Sequence, residues 1–586
     1  MTRRILREAL ARHAARISLG LLLLAATNAL GLSIPWLFKQ AIDGLRAAPA
    51  GVTGGGVGRW ALAIIAVASV ASIIRTGSRL ALLGASRQIS YELRQRLFER
   101  VLSMPPAAAD RMRTGDLMSR AVNDMLLIRS FFGPGLMNAA NTLFAYIGSI
   151  AAMAWIDPGL CLAALLPYPV ILLAMNRLSR AMYSRSVAAQ EQLAVLSSRV
   201  QENLSGMTQV KAFVRERAEI EEFAGCAGEN RRRAIALARV RGAIVPLMGS
   251  IGGLGTLAVL WLGGSRVVDG RMTLGDFVAF NGYLGALAWP TLALGWIINV
   301  FQRGLGAMER IGEIIDAPGP RVVAAPADAP RAAAAPAPAI EIRDLTFRYE
   351  PHLAPALADL SVSIAPGETI GITGPVGAGK STLLALVAGL YTPPAGSMRV
   401  GGEDLASLPP LHGAGRIGWV PQESFLLSRT IAENIALGRP GAPRAAIEEA
   451  AGRARLSQDL PGFPDGWDTL VGERGITLSG GQRQRAALAR ALLLDAPLLL
   501  LDDTYSAVDA DTEAELQRSL RPALAGRTVL VVSHRLSAIA SADRILVLDK
   551  GRLVESGRHA DLLSAGGLYA RLHRIQMLEG AIEAAS

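Results

Sequence analysis

Long apolar stretches alternate with arginine-bearing polar segments through the first half of the chain. Each stretch has about 19 to 25 residues, the length that a helix rising ~1.5 Å per residue needs to cross ~30 Å of hydrocarbon. The pattern predicts six membrane-spanning helices, with helices of a soluble core as the alternative. The predicted spans lie at about 17–38, 60–83, 131–154, 158–176, 244–264 and 277–301.

Basic residues orient these spans. Segments 84–130 and 177–243 contain eight and twelve basic residues, whereas 43–59, 155–157 and 265–276 contain two, none and two. Because loops rich in Lys and Arg stay on the cytoplasmic side, we expect a multi-pass protein of the cytoplasmic membrane with both basic loops and both chain ends in the cytoplasm. A cleaved secretory signal is the alternative for the first stretch, but no small-residue cleavage site followed by a soluble remainder accompanies it.

The two basic loops are rich in helix-forming residues and lack the Gly and Pro density of disordered connectors. They are predicted to continue the flanking helices into hairpins that project ~30 Å into the cytoplasm. The expected hairpin tips are residues 114–124 and 206–215.

A change of composition marks a domain boundary. Residues 317–339 are rich in alanine and proline without apolar periodicity, which is typical of a semi-extended linker. Beyond them, glycine turns, short β-rich runs and amphipathic helices alternate, as in an α/β domain. The predicted organisation is an all-α transmembrane domain at 1–316 and an α/β domain at 340–586.

A phosphate-binding loop lies in the second domain. Residues 374–382 read GPVGAGKST, between a strand-like and a helix-like run. The three glycines let backbone N–H groups curl round phosphates at a helix N-terminus, Lys380 reaches the β- and γ-phosphates, and the Ser381 hydroxyl is suited to Mg²⁺. This context predicts a P-loop NTPase fold.

Two carboxylates follow a run of four leucines. The run LLLLDD indicates a parallel strand buried on both faces, which places Asp502 and Asp503 at the sheet edge where open α/β sheets bind ligands. Asp502 is predicted to hold Mg²⁺, and Asp503 to orient or polarise the attacking water.

A second anion site is predicted at TLSGGQRQR, residues 477–485, just before a helix expected at 486–494. A serine and two glycines at a helix start can bind an anion, yet residues 374–382 already hold the phosphates of one nucleotide. The second site is therefore predicted to serve a nucleotide on another subunit.

Taken together, the phosphate loop, LSGGQ, LLLLDD, SAVD at 506–509 and the histidine of VVSHR, preceded by six spans, closely resemble an ATP-binding cassette (ABC) half-transporter of the exporter type. The resemblance covers nearly the whole chain. It implies ATP and Mg²⁺ as cofactors, ATP hydrolysis coupled to transport, and a second half-transporter as partner. The loop residues that it implies in ATP binding are Gly374, Pro375, Val376, Gly377, Ala378, Gly379, Lys380, Ser381 and Thr382.

The resemblance also implies roles outside the loop. It places Tyr349 on the adenine ring, Gln422 between Mg²⁺ and the membrane-domain contacts, and His534 on the γ-phosphate. It implies that the partner's ATP is covered by Ser479, Gly480, Gly481 and Gln482. It also implies that Asp509 contacts the opposite ATP site and that Glu473 approaches the hairpin tips.

One residue departs from the family pattern, which has glutamate where this chain has Asp503. Aspartate is one methylene shorter, so its carboxylate stops ~1 to 1.5 Å short of the water, a misplacement that can cost ~10²-fold in rate. With LSGGQ and His534 intact, the chain resembles one subunit of a heterodimer that has one degenerate and one competent ATP site. A homodimer that uses aspartate is the alternative.

The net charge is +11, from 60 basic and 49 acidic residues. The basic excess lies in the two cytoplasmic loops, so we expect no nucleic-acid partner; lipid and a hydrophobic or amphipathic small molecule are the expected partners. Only Lys39, Lys211, Lys380 and Lys550 are lysines. Lys380 is lysine in an arginine-rich chain because a compact ammonium suits the phosphate pocket and a planar guanidinium does not.

The sequence is compatible with several functions. A lipid flippase is one alternative to a drug exporter, and an ATP-controlled membrane regulator or channel is another. A soluble cassette ATPase acting on nucleic acid is disfavoured by the spans. In the second span, Arg75 and Arg79 share one helical face and either line a water-filled cavity or reach towards the headgroups.

Overall fold

The computed structural model describes residues 2–47, 55–109, 112, 114–317, 336–408, 415–472, 475, 478–505 and 510–585. The chain divides into two compact units. Met1–Glu99 and Thr114–Ala317 form the first, and Arg100–Arg113 and Pro318–Ser586 form the second. The domain limits at 316 and 340 stay a prediction beside this division.

The described residues up to 317 are almost all helical. The helices are α1 (Thr2–Arg12), α2 (Ala14–Ala47), α3 (Gly55–Leu102), α4 (Pro106–Ala109), α5 (Thr114–Ser119), α6 (Met125–Ser130), α7 (Leu136–Ile156), α8 (Pro158–Leu165), α9 (Tyr168–Ser205), α10 (Met207–Ala212), α11 (Glu216–Ala258), α12 (Gly264–Val268), α13 (Leu274–Ala286) and α14 (Ala288–Ile315). Short π-helical segments lie at Arg120–Asp124, Phe131–Gly135 and Val259–Gly263.

Four helical stretches of the described chain are long and apolar enough to cross a membrane. These are Ala14–Leu45, Gly58–Leu102, Thr114–Ile156 and Leu274–Ile315, which cover the first, second, third and sixth predicted spans. Shorter apolar helices at Pro158–Val170 and Gly253–Val268 overlap the fourth and fifth. The count of six spans therefore stays a prediction.

Arg75 and Arg79 are both exposed on α3.

Long helices continue through both basic loops. The turn between α9 and α11 falls inside the predicted tip at 206–215. The predicted tip at 114–124 is wrong, because α3 already ends at Leu102 and residues 114–124 begin the returning helix. The sequence at 103–106 is SMPP, and its prolines remove backbone donors and disfavour helix at the residue before them.

An ion pair joins this returning helix to α14. Asp124 is more than nine-tenths buried and accepts hydrogen bonds from Arg310, at 2.9 Å from Nε and 2.5 Å from the terminal nitrogen. Arg120 also donates to Glu313 at 3.1 Å. Bidentate arginine–carboxylate pairs have a defined geometry, so the two helices are held in one register.

The second unit is built on two sheets. Its strands are β1 (Ile340–Phe347), β2 (Leu357–Ile364), β3 (Thr369–Thr373), β4 (Met398–Val400), β5 (Glu403–Asp404), β6 (Ile417–Val420), β7 (Leu498–Asp502), β8 (Thr528–Val532), β9 (Arg544–Asp549) and β10 (Arg552–Gly557). Its longer helices are α15 (Lys380–Val387), α16 (Ile431–Ala436), α17 (Arg444–Arg453), α18 (Gly480–Leu494), α19 (Ala510–Leu524), α20 (His559–Ala565) and α21 (Leu568–Ala585).

The larger sheet has the strand order β10-β9-β3-β8-β7-β6, with β10 antiparallel and the other strands parallel. The smaller, antiparallel sheet has the order β2-β1-β4-β5. All five residues of β7 are buried. Leu499 and Leu501 pack into a core with α18, while Leu498 and Leu500 pack into a second core with α15. Parallel strands covered on both faces confirm the predicted α/β fold.

Candidate functional site

A cavity of about 250 Å³ opens at the carboxyl edge of the parallel sheet. Ligands of open α/β sheets bind at this edge because the loops that follow the parallel strands meet there. The cavity is lined by Ala356, Val376, Gly377, Ala378, Gly379, Lys380, Ser381, Thr382, Gln422, Asp502, Asp503, Val532 and His534. The structure thus gathers the phosphate loop, both carboxylates, Gln422 and His534 around one space.

The backbone conformation of the loop requires glycine at two positions. Gly374 has φ +145°, and a Cβ on it would lie 2.0 Å from the carbonyl oxygen of Leu548. Gly379 has φ +94° and directly precedes α15, where a Cβ would lie 2.5 Å from the carbonyl oxygen of Ala356. Side chains would therefore clash at both positions. The curled loop leads into a helix N-terminus, which is suited to phosphate.

Lys380 is buried within the loop that precedes it. Its Nζ donates hydrogen bonds to the carbonyl oxygens of Gly374 at 2.8 Å and Pro375 at 2.9 Å. Burial lowers the pKa of Lys380 below its usual value, while the nearby carboxylates of Asp502 and Asp503 act in the opposite direction. The ammonium is therefore held at the cavity wall as a partly desolvated donor.

Asp502 ends β7 as a buried carboxylate. Burial raises its pKa above the usual value, against the effect of a hydrogen bond from Ser381 and of the Lys380 cation. Its Oδ1 has no hydrogen-bond partner among the described residues. A buried, incompletely satisfied carboxylate beside the Ser381 hydroxyl and the Gln422 side chain is an oxygen donor set that suits Mg²⁺.

Asp503 follows β7 in the left-handed region, at φ +48°. Its N–H donates to the Val532 carbonyl at 2.9 Å, and its Oδ1 accepts a hydrogen bond from the His534 N–H at 3.3 Å. Few non-glycine residues adopt positive φ, so these contacts stabilise an unusual backbone. They also draw the short carboxylate towards the main chain at the end of β8.

The segment that carries His534 is fixed by α21. Gln576 donates from Nε2 to the His534 carbonyl and accepts at Oε1 from the Leu536 N–H at 3.0 Å. No sequence motif indicated this contact, because Gln576 lies 42 residues further along the chain. The position of the histidine therefore depends on the C-terminal helix.

Tyr349 lies beside the loop in an aromatic cluster. Its hydroxyl is 3.0 Å from the Thr382 Oγ1, and its ring meets those of Phe347 and Tyr391 edge-on, with centroids 5.3 and 5.0 Å away. The Tyr349 side chain is about two-fifths exposed. Tyr391 is the last residue of the helix-like run LLALVAGLY that follows the loop, and no local motif marks it as part of this cluster.

The LSGGQ motif forms the first turn of α18. The Ser479 hydroxyl accepts from the Gln482 N–H at 3.2 Å, and the Gln482 Oε1 accepts from the Ser479 N–H at 2.9 Å, which makes a capping box. The expected helix start at 486 is therefore wrong, since the helix begins at Gly480. Gly481 is buried below the cap, and the cavity lining includes no described residue of this motif.

Two residues implied by the family resemblance, Asp509 and Glu473, lie outside the described residues. The rest of SAVD lies outside them as well. Their predicted roles stay predictions.

Comparison with known proteins identifies the family. Residues 17–291 match the family described as ABC transporter transmembrane region, and residues 357–506 match the family described as ABC transporter. The multidrug resistance-like ATP-binding protein MdlA of Escherichia coli is 36% identical over 533 residues, which cover 91% of this chain and 89% of that protein. The probable multidrug resistance ABC transporter ATP-binding/permease protein YheI of Bacillus subtilis is 33% identical over 574 residues, which cover 97% and 96%.

The chain is also similar to a lipid flippase and to a solved exporter structure. An ATP-dependent lipid A-core flippase of Chromobacterium violaceum is 34% identical over 493 residues, which cover 84% of this chain and 83% of that protein. The solved structure of a bacterial Atm1-family ABC exporter with ATP bound superposes with a TM-score of 0.77 at 29% identity, over 97% of this chain and 99% of that one. The chain therefore belongs to the ABC transporter family, as a membrane-embedded exporter that binds ATP and couples its hydrolysis to transport.

Proposed function

We propose that the chain exports a hydrophobic or amphipathic small molecule, such as a drug, a lipid or a peptide-like compound, across the cytoplasmic membrane by alternating access. The observation that carries this is one cavity that gathers the phosphate loop, Asp502, Asp503 and His534 in a chain with long apolar helices. Relatives named for multidrug resistance and for lipid A-core flipping support the substrate class. ATP-dependent accumulation of a fluorescent drug or lipid in inside-out membrane vesicles tests it.

The cavity residues have separate roles in binding and hydrolysing ATP. The loop backbone and Lys380 hold the phosphates, while Ser381, Gln422 and Asp502 hold Mg²⁺. When bound, Mg²⁺ neutralises charge on the phosphates. Asp503 orients the attacking water, and His534 contacts the γ-phosphate.

The functional exporter is a dimer of this chain with a second half-transporter. Ser479, Gly480, Gly481 and Gln482 close over the ATP held by the partner's cassette, so two cassettes enclose two nucleotides. Closure draws the cytoplasmic hairpins together and turns the spans from inward-open to outward-open, and hydrolysis resets them. The position of LSGGQ outside this chain's own cavity supports an arrangement in which each motif serves the other subunit.

We favour a heterodimer in which the site containing Asp503 is the slow one. The Asp503 carboxylate accepts a hydrogen bond from the His534 main chain, and its side chain is one methylene shorter than the glutamate of the family. The LSGGQ of this chain would then complete the competent site of the partner. A homodimer that hydrolyses ATP efficiently with aspartate is the alternative.

The aromatic ring of Tyr349 is expected to stack on adenine. A Tyr349→Ala variant should raise the KM for ATP about tenfold, because loss of a base–aromatic stack costs roughly 1–3 kcal/mol. Tyr349→Phe keeps the ring and loses only the hydroxyl near Thr382, so its KM should stay within about twofold of the wild type. Steady-state phosphate release against ATP concentration measures both variants, and equal KM values for Tyr349→Ala and the wild type would exclude stacking.

A further inference from the structure

His534 lies in a short irregular connection after β8. The strand ends at Val532, and a 3₁₀ turn begins at Leu536. The His534 side chain lines the nucleotide cavity, whereas every hydrogen bond that this residue makes with the described residues runs through its main chain. Because no strand ladder or α-helix fixes the connection, the direction of the imidazole depends on the contacts that hold residues 534–537.

Helix α19 holds one side of this connection through a buried carboxylate. Glu513 is 4% exposed and accepts hydrogen bonds from the terminal nitrogen of Arg535 at 2.8 Å and from the Ser537 hydroxyl at 2.7 Å. Gln517, one turn further along α19, donates to Glu513 at 3.1 Å. Burying a carboxylate is costly unless it is paired and hydrogen-bonded, and here both carboxylate oxygens have partners.

Helix α21 holds the other side. Gln576 donates to the His534 carbonyl oxygen and accepts from the Leu536 N–H at 3.0 Å. The four consecutive residues 534–537 are therefore held in alternation, two by Gln576 and two by Glu513. Replacing a buried ion pair with apolar side chains is often neutral or stabilising, so stability alone does not account for Glu513. The two helices instead specify the path of the main chain through His534.

We propose, on the basis of the γ-phosphate contact proposed above for His534, that Glu513 and Gln576 are positioning residues for ATP hydrolysis. The two side chains form a clamp on residues 534–537 that directs the imidazole at the γ-phosphate. Neither side chain is among the residues that line the nucleotide cavity, so both act through His534. The C-terminal helix α21 thereby contributes to catalysis from outside the cavity.

The Gln576→Met variant tests the α21 side in the chain purified without a partner, where every ATP site contains the clamp. Methionine keeps the length of glutamine and lacks its donor and acceptor. We expect kcat for ATP to fall about tenfold, since displacements of ~1 Å near reacting groups cost up to ~10²-fold. The KM for ATP should change less than about twofold, because the phosphate loop is untouched. Tyr569→Phe is the matched control on the same helix: the Tyr569 hydroxyl is hydrogen-bonded to His559 instead, so its kcat should stay at the wild-type value.

The Glu513→Gln variant tests the α19 side. Glutamine keeps the volume of glutamate and removes the charge that pairs with Arg535. We expect kcat to fall at least about threefold at an unchanged KM, a smaller loss than for Gln576→Met because the main-chain hydrogen bonds remain. Glu515→Gln is the control, since it removes a charge from the exposed face of α19, where Glu515 pairs with Arg455. Its kcat should equal that of the wild type.

The His534→Ala background separates positioning from a packing defect. His534→Ala should itself lower kcat, and in that background Gln576→Met and Glu513→Gln should each lower kcat by less than about twofold further. A wild-type kcat for either single variant, or equal losses with and without the imidazole, would overturn the clamp. Gln576→Ala gives the same comparison should Gln576→Met fold poorly. A wild-type kcat for His534→Ala alone would contradict the proposed γ-phosphate contact, and with it the role of the clamp.

Discussion

Replacing Asp503 with glutamate is expected to raise the ATP turnover of the purified chain by about 10- to 100-fold. The added methylene lets the carboxylate extend beyond the His534 N–H that now donates to Asp503 Oδ1. The extended carboxylate reaches the water that attacks the γ-phosphate. Steady-state phosphate release from the purified chain, reconstituted without any partner, measures the effect.

Asp503→Asn is the matched control for this substitution. Asparagine keeps the length of aspartate and removes the charge, so turnover should stay at or below the wild-type rate. If the wild-type chain alone turns over rapidly, and Asp503→Glu leaves that rate unchanged or lowers it, the chain is a homodimer that uses aspartate. The heterodimer with a slow Asp503 site would then be wrong.

In the chain purified without a partner, where every ATP site contains Lys380, Lys380→Ala is expected to abolish ATP hydrolysis, with a loss of at least about 100-fold, since oriented charges on transferring phosphoryl groups contribute several kcal/mol. Lys380→Arg should be equally inactive. The ammonium donates to two carbonyl oxygens at 2.8 and 2.9 Å in a buried pocket, and a planar guanidinium does not fit that geometry.

Lys550→Arg provides the control for the Lys380 variants. Lys550 is exposed in the turn between β9 and β10, so the same substitution there should leave hydrolysis unchanged. Nucleotide binding and phosphate release, measured on the same preparations, distinguish lost affinity from lost chemistry. Substantial turnover by Lys380→Arg would contradict the proposed fit of the ammonium.

Local sequence patterns predict the centre of the site well. GPVGAGKST specifies a turn with glycines at positive φ, and LLLLDD specifies a strand buried on both faces. Their chemistry follows from backbone sterics and strand burial, which short motifs carry. The contact of Gln576 with the His534 carbonyl joins residues that are distant in sequence, so no local pattern shows it.

Two boundaries were predictable in principle but were placed wrongly. The spacing S-G-G-Q satisfies a capping box and marks the helix start at Gly480. The prolines of SMPP mark the end of α3.

ATP-driven export is tested most directly in inside-out membrane vesicles that contain the transporter assembled with its partner. The measurement is accumulation of a fluorescent amphipathic drug or lipid inside the vesicles after ATP is added. ATP-driven export predicts accumulation against the concentration gradient with the wild-type chain and none with Lys380→Ala. ATP-dependent equilibration without accumulation, or equal uptake by the Lys380→Ala vesicles, would contradict it and favour a regulator or channel.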